Sequence, residues 1–178
     1  MPDRTLSFNT QMVEAILAGV KTQTRRPGEK PPAAEGDVIF VREVHFLGQA
    51  DAWDAPRTIA PRNPDEACYY RAGWNGPAPG RWRRSLYMPR WAARTFLAVT
   101  SVRTQRLRDI TEEDARQEGV AASPGNSAVA AFAALWDSIY TERGAGWEAN
   151  PLVWRVTFRL TGRPVGGLLG EYLEGPTT

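Results

Sequence analysis

Two segments of this chain carry apolar residues at the spacing of an amphipathic helix, and a third carries helix-capping residues. Asn9 or Thr10 can cap the first helix, and a glycine can end it. In ITEEDARQEGV, Thr111 and Asp114 have a spacing like that of a capping box, which predicts a second, short helix. The third helix is predicted in NSAVAAFAALWDSIYTERG. The apolar positions are Met12, Val13, Ile16, Leu17 and Val20 in the first helix, and Phe132, Leu135, Trp136 and Ile139 on one face of the third.

Strands are predicted where β-branched and aromatic residues cluster or alternate with polar ones. The pattern predicts a buried strand over 37–44 and a long strand over 95–107. It predicts mostly loop over 47–68, a short strand over 69–72 and a long connection over 73–94. A last strand is predicted in LVWRVTFRL, with one face formed by Leu152, Trp154, Val156, Phe158 and Leu160. This order of helices and strands predicts an α+β fold with a small curved sheet or an open barrel.

Composition narrows the chemistry that the protein can perform. A chain of 178 residues suits a single domain, and no stretch approaches the roughly 18 apolar residues of a membrane span. The N-terminus lacks the pattern of a secretory signal. The single cysteine, Cys68, and the single histidine, His45, make a disulfide framework impossible and a zinc site unexpected. We therefore expect a cytoplasmic protein without a metal or other cofactor and without a membrane partner, and a monomer is plausible.

Arginines and aromatic residues are concentrated in one part of the chain. Between Glu66 and Asp109 there is no acidic residue, although nine arginines fall there. Basic charge attracts phosphate, and aromatic rings and guanidinium planes can stack on bases. The alternative is an arginine-rich surface with tryptophans that anchor a loop to the core. Both interpretations stay open at this point.

The chain resembles the ASCH domain family, a branch of the PUA-like superfamily, in a long form common in bacteriophages and prophages. The likeness rests on GVKTQTRR, where the family has Gly-x-Lys-x-x-(Glu or Thr)-x-Arg, and on GDVIFVREV, MPRWAAR, EEDARQEGV and WEANPLVWRVTF. It implies a PUA-like small curved β-sheet or open β-barrel flanked by short helices. It also implies a single domain over 1–162 with a long inserted loop around 47–94. Residues 163–178 are expected to form a loosely ordered tail.

The resemblance implies one of two activities. ASCH domains are generally regarded as RNA-interacting modules, whereas one subgroup is similar to the bacterial N4-acetylcytidine amidohydrolase and has a Thr-Lys-Glu catalytic set. Carried onto this chain, that set is Thr24, Lys21 and Glu118. The commoner family pattern has Glu where this chain has Thr24, and this departure favours the amidohydrolase subgroup. Arg25 and Arg26, beside the motif, are expected to tune the lysine or to contact phosphate.

Hydrolysis of an amide by these residues requires an activated nucleophile and a base. The Thr24 hydroxyl can attack the acyl carbonyl if Lys21 takes its proton. An ordinary lysine has a pKa near 10.4, which burial and neighbouring cations must lower by about 3 units. Glu118 raises that pKa if it is ionised. Taken singly, Lys21 can also be a helix-end cation, Thr24 a turn-capping hydroxyl and Glu118 a solvated carboxylate.

Six further residues are candidates for binding the substrate or nucleic acid. Glu43 follows a buried strand and is interpreted as a salt-bridge partner or as a second carboxylate of the cleft, with the salt bridge favoured. The arginines among the six are interpreted as phosphate contacts or as ordinary surface residues, and the tryptophan as a stacking or a core residue. The six are Glu43, Arg83, Arg84, Arg90, Trp91 and Arg94.

The sequence thus leads to two hypotheses. In the first, the protein is an amidohydrolase that acts on N4-acylated cytidine-type nucleosides through Thr24, Lys21 and Glu118. In the second, it is an RNA-binding module, with or without ribonuclease activity, that uses an arginine- and tryptophan-rich face. The expected partner is a modified nucleoside in the first case and RNA in the second.

Overall fold

The computed structural model describes residues 4–121 and 125–161, which form eight strands, three α-helices and several short 3-10 turns. The helices are α1 (Thr10–Leu17), α2 (Glu112–Gln117) and α3 (Ala128–Tyr140). The strands are β1 (Arg4–Ser7), β2 (Gln23–Pro27), β3 (Val38–Arg42), β4 (His45–Gln49), β5 (Arg57–Ala60), β6 (Asn63–Tyr70), β7 (Phe96–Arg106) and β8 (Leu152–Thr161). The tail predicted over 163–178 lies outside the described residues.

The strands form two mixed or antiparallel sheets, which confirms the predicted α+β class. One sheet has five strands in the order β1-β3-β7-β8-β2, and the other has three in the order β4-β6-β5. β1 runs parallel to β3, and β2 runs antiparallel to β8. β1 and β2 were not predicted, because each is short and polar and gains its strand conformation from its neighbour.

The chain divides into two compact units. Among the described residues, unit 1 comprises 4–14, 38–97 and 161, and unit 2 comprises 15–37, 98–121 and 125–160. The core of unit 1 includes a cluster of buried residues around Phe40 and Phe96, whose rings meet edge to face at 5.4 Å. The rest of that cluster is Cys68, Tyr70, Met88, Ala92 and Ala93.

The prediction that residues 47–68 are mostly loop is wrong. This segment supplies most of the three-stranded sheet of unit 1, in which β6 pairs with β4 and with β5. The first three residues of β6 are exposed and polar, so a prediction from hydrophobic alternation does not detect the start of this strand. Cys68 and His45 are both fully buried in this unit.

The helices of unit 2 follow the predicted caps. The Thr111 side chain accepts a hydrogen bond from the backbone N–H of Asp114 at 3.1 Å and so starts α2. α3 buries Phe132 and Trp136 as predicted, but Ile139 is exposed because the buried face continues to Tyr140. Strand β8 buries Val156 and Phe158 of its predicted apolar face. It departs from the predicted alternation at its ends, because Leu152 and Leu160 are exposed and Val153 is buried.

No helix in residues 4–121 and 125–161 is long and apolar enough to cross a membrane.

Gly119 follows the last residues of α2 with φ +85°, in the left-handed region that favours glycine. A Cβ at this position would lie 3.0 Å from the Cβ of Ala15 and 3.1 Å from the Cβ of Lys21. Gly36 has nearly the same φ, +86°, but a Cβ there would meet nothing within 4 Å. A comparison of alanine substitutions at these two glycines therefore distinguishes the effect of backbone strain from that of crowding by neighbouring side chains.

We expect Gly119→Ala to destabilise the protein more than Gly36→Ala. Each substitution costs about 1–2 kcal/mol because an alanine adopts the left-handed conformation poorly. Gly119→Ala adds the displacement of Ala15 or Lys21. Urea unfolding followed by circular dichroism measures both free energies. Equal losses for the two variants would contradict the close packing of Gly119 against Lys21.

Candidate active site

Lys21 lies in unit 2, between the end of α1 and the start of β2. The backbone N–H groups of Val20 and Lys21 both donate to the carbonyl of Ala15, at 2.9 and 3.0 Å, so the chain folds back at the helix end. Gly19 permits this turn with φ +74°. The next residue, Thr22, donates its N–H to the carbonyl of Gln117 at 2.9 Å. This bond holds the segment of Lys21 against the end of α2.

Glu118 is the residue that caps the end of α2. Its N–H donates to the carbonyl of Asp114 at 2.9 Å, and the glycine that follows turns the chain away. Because Asp114 and Glu118 are four residues apart, their side chains project from the same side of this turn. Both carboxylates therefore point to the strand that carries Gln23 and Arg25.

The structure brings Lys21 and Glu118 into direct contact. The Lys21 Nζ donates to Glu118 Oε2 at 2.8 Å, and the two residues expose only 3% and 4% of their surface. The same Nζ also donates to the carbonyl oxygen of Glu118 at 2.7 Å and to that of Gln23 at 2.9 Å. The contact joins residues 97 positions apart in the sequence.

Arg25 completes a buried ionic cluster around the same carboxylate. Its guanidinium donates to Glu118 Oε1 at 2.9 Å and to Asp114 Oδ2 at 3.1 Å, and the residue is 1% exposed. Gln23 donates to Asp114 Oδ1 at 2.9 Å, and Arg155 of β8 lies 3.5 Å from the same atom. Glu118 thus shares its two oxygens between Lys21 and Arg25.

The charge state of Lys21 follows from two opposing effects. Burial lowers its pKa below the ordinary value of 10.5 and exceeds the opposing effect of Glu118, while Arg26 and Arg25 lower the pKa further. The three oxygen acceptors around Nζ match the three protons of an ammonium group. Lys21 therefore loses its proton at a lower pH than an ordinary lysine.

Asp114 is held in its ionised form. Partial burial by itself would raise its pKa, but the amide of Gln23 and the charges of Arg25 and Arg155 lower it below the ordinary value of 3.8. At neutral pH, Asp114 is therefore a carboxylate, and its negative charge partly balances the positive charges of the neighbouring arginines.

Thr24 lies in β2 opposite Val156 of β8 and is 1% exposed. Side chains alternate between the two faces of a strand. Because Gln23 and Arg25 both reach Asp114, Thr24 and Arg26 lie on the other face of β2. There Arg26 donates to the hydroxyl of Tyr140 at 3.5 Å. The structure thus brings Lys21 and Glu118 of the predicted catalytic set into contact. It places the third member, Thr24, on the face of β2 opposite the ionic cluster.

Glu43 and Arg94 lie in unit 1 and bind each other. Arg94 donates from Nε and from a terminal nitrogen to the two oxygens of Glu43, at 2.9 and 2.8 Å, and also to the carbonyl of Ala72 at 3.0 Å. Its guanidinium carbon lies 3.9 Å from the ring centre of Tyr70. Burial raises the pKa of Glu43 against the opposing effect of Arg94. The favoured interpretation of Glu43 as a salt-bridge partner agrees with this geometry.

The other four candidates also lie in unit 1, in two different settings. The Arg90 guanidinium lies 4.8 Å from the ring centre of Phe40, and Trp91 packs against the core cluster of that ring. Arg83 and Arg84 are exposed and line a cavity of about 270 Å³. The predicted arginine- and tryptophan-rich face is thus partly absorbed into the core, and its solvent-facing part is the segment around Arg83.

Sequence reasoning missed Asp114 and Gln23 as members of the cluster. A signal was present for Asp114, because it lies one helical turn before Glu118. Nothing in the sequence pointed to Gln23, since its role depends on the pairing of β2.

In the part of the chain that the structure describes, no three His, Cys, Asp or Glu residues are grouped so that they could hold a metal ion.

No protein-family model and no curated protein matches this chain. Among solved structures, the chain is similar to protein EF3133 from Enterococcus faecalis V583, which is described with the family model DUF984. The two share 12% sequence identity with a TM-score of 0.49, over 91% of this chain and 77% of the other. A likeness at this level carries no assignment of family or function.

We expect Lys21 to titrate at a lower pH in the folded protein than in the urea-unfolded chain. Lys21 and Lys30 are the protein's two lysines, so selective labelling with ¹³C-lysine gives one signal for each. The ¹³Cε shift of Lys21 is followed against pH in the folded protein and in the urea-unfolded chain. Because folding lowers the pKa of Lys21, its contribution to stability rises with pH from its folded pKa up to the unfolded value. A Lys21 signal that titrates at the same pH in the folded and the unfolded chain would contradict the burial argument.

We expect Glu118→Gln to cost about 3–5 kcal/mol of unfolding free energy, because it leaves Lys21 and Arg25 buried without their shared carboxylate. Glu113→Gln is the matched control, since Glu113 lies on the same helix with its side chain 67% exposed. Urea unfolding should show little change for the control. A similar stability of both variants would mean that the cluster is not held by Glu118.

Proposed function

We propose that the protein is an amidohydrolase that removes the acyl group from N4-acylated cytidine-type nucleosides. The observation that supports this proposal is the buried contact of Lys21 with Glu118 at 2.8 Å. A reactive lysine requires a lowered pKa, and burial supplies this shift here. The resemblance to the N4-acetylcytidine amidohydrolase subgroup adds the acyl-cytidine substrate class.

In the proposed reaction, the Thr24 hydroxyl attacks the acyl carbonyl. Because Thr24 lies on the opposite face of β2 from the ionic cluster, its proton passes to neutral Lys21 through an intervening water molecule. The carbon–nitrogen bond then breaks, the acyl group stays on the Thr24 oxygen as an ester, and the Lys21 proton passes to the departing N4 amine. Water hydrolyses the ester and releases the carboxylic acid. Glu118 and Arg25 hold the lysine in place between these two proton transfers.

The charge balance of the cluster determines which form of Lys21 is available. Glu118 favours the ammonium, while burial and the two neighbouring arginines favour the neutral amine. Only molecules with a neutral Lys21 carry the base of the proposed reaction. The rate should therefore rise with pH through the lowered pKa of Lys21.

We expect purified protein to convert N4-acetylcytidine to cytidine and acetate, measured by chromatography. Lys21→Ala should reduce kcat/KM by about 10²–10⁴-fold, as expected for the loss of a general base. Thr24→Val, which keeps the shape of the side chain but removes the hydroxyl, should abolish turnover, and Thr24→Ser should retain part of it. The pH at which the rate rises should match the pH at which the Lys21 signal moves.

Lys30→Ala is the control that removes a lysine outside the cluster, and it should be as active as the unaltered protein. Circular dichroism of each variant separates lost chemistry from lost folding. The proposal is refuted if no cytidine forms, or if Lys21→Ala and Thr24→Val turn over substrate at the unaltered rate.

A further inference from the structure

Arg25 divides its hydrogen bonds between two carboxylates. One terminal nitrogen donates to Glu118 Oε1 at 2.9 Å, and the other donates to Asp114 Oδ2 at 3.1 Å. The third donor position, Nε, is buried and meets no acceptor among the described residues. A guanidinium can bind one carboxylate through two parallel hydrogen bonds. Arg25 therefore has enough donors to bind Glu118 twice if its bond to Asp114 is weakened.

Asp114 is fixed in the position from which it binds Arg25. Its backbone N–H donates to the side chain of Thr111 at 3.1 Å, and its carbonyl accepts from the amide of Gln23 at 2.9 Å. The second carboxylate oxygen, Oδ1, accepts from the same amide at 2.9 Å and lies 3.5 Å from Arg155. Because both oxygens and the backbone are held, Asp114 presents a negative charge to Arg25 at a fixed place.

Lys21 is held in part by acceptors that carry no charge. Its Nζ donates to the backbone carbonyl oxygens of Glu118 and Gln23, at 2.7 and 2.9 Å. The bond to Glu118 Oε2, at 2.8 Å, brings a full negative charge to the amine. A change in the charge available at Oε2 therefore alters the protonation of Lys21, while the two carbonyls keep its amine in place.

We propose that Asp114 is a positioning residue that determines how much of the Glu118 charge is left for Lys21, because it holds one side of the Arg25 guanidinium. With Asp114 ionised, Arg25 binds Glu118 through one nitrogen. Without that charge, Arg25 binds both oxygens of Glu118 and competes with Lys21 for Oε2. The contribution of Asp114 to catalysis rests on the proposed function, whereas its effect on the protonation of Lys21 does not.

The charged groups around Lys21 give the effect one direction. Loss of the Asp114 charge removes a negative charge from the cluster and leaves the charge of Arg25 less balanced. Both changes disfavour the ammonium form of Lys21, and so does the competition for Oε2. Lys21 should then lose its proton at a lower pH than in the unaltered protein. The titratable and charged groups of the cluster are Asp114 and Glu118 of α2, Arg25 and Arg26 of β2, Arg155 of β8, and Tyr140 of α3, whose hydroxyl accepts from Arg26.

A role of Asp114 in stability alone would give the opposite direction. If Asp114 only held the cluster together, its loss would let water reach Lys21. Burial is the largest of the effects on the pKa of Lys21 and lowers it, so hydration would return that pKa toward 10.5. The direction in which the Lys21 titration moves therefore distinguishes the two roles.

The test follows the ¹³Cε signal of Lys21 against pH in the full-length protein labelled with ¹³C-lysine. A Lys30→Arg background leaves Lys21 as the single lysine and so assigns the signal. Asp114→Asn removes the charge but keeps the shape of the side chain, and it should move the titration to lower pH by up to about 1 unit. Asp109→Asn, the matched control, removes an exposed carboxylate outside the cluster and should leave the titration unchanged.

Arg155→Gln tests the same connection without altering Asp114. It removes a cation from Oδ1, so Asp114 binds Arg25 more strongly and Lys21 should titrate at a higher pH than in the unaltered protein. Circular dichroism shows whether each variant is folded. If Asp114→Asn does not fold, Arg155→Gln decides, and a Lys21 titration that is unchanged or lowered in this variant overturns the proposal.

The rate of hydrolysis of N4-acetylcytidine supplies the second measurement. In Asp114→Asn the rise of kcat/KM with pH should move by the same amount as the lysine signal, which is up to about a tenfold gain on the rising limb. The proposal is overturned if folded Asp114→Asn titrates Lys21 at the unaltered pH or at a higher one, or if Asp109→Asn shifts it equally. The lysine titration needs no substrate, so absence of turnover refutes the amidohydrolase alone.

Discussion

The carboxylate of Glu118 is the group on which the arrangement of unit 2 depends. One of its oxygens accepts from Lys21 and the other from Arg25, and all three residues are almost completely buried. Two cations close together in a low-dielectric interior would be strongly unfavourable without a counter-charge. The contact therefore fixes the end of α2 against the start of β2, and it sets the electrostatic environment of the lysine.

Unit 1 contains a buried carboxylate with a simpler environment. Glu43 is bound by Arg94 through two parallel hydrogen bonds, and the stacking of Arg94 on Tyr70 completes the pair. This pair satisfies its charges internally, as a structural ion pair does. Glu118, by contrast, is shared between an arginine and a lysine, and the lysine can change its protonation state. That difference is why the proposed reaction involves Glu118, whereas Glu43 forms a structural ion pair.

The solvent-facing charge of unit 1 lies elsewhere. The arginines of the stretch between Glu66 and Asp109 fall into different environments: Arg94 is paired with a carboxylate, Arg90 lies on an aromatic ring, and Arg83 faces a cavity with its neighbours. The amino-acid composition by itself does not distinguish these arginines from one another. Their different partners explain why only part of the stretch is available to bind a ligand from solution.

The sequence by itself determined the α+β class, the starts of α1 and α2 and the long strand β7. These features depend on local caps, glycines and apolar periodicity, which act over a few residues. It did not determine β1, β2 or most of the sheet built from 45–70, since short polar strands form only through their partners. The motif resemblance named Lys21 and Glu118, but only the tertiary structure placed them in contact across 97 residues and added Arg25 and Asp114 to them. The reason is physical, because burial and charge proximity shift the pKa of Lys21 and both are properties of the folded chain.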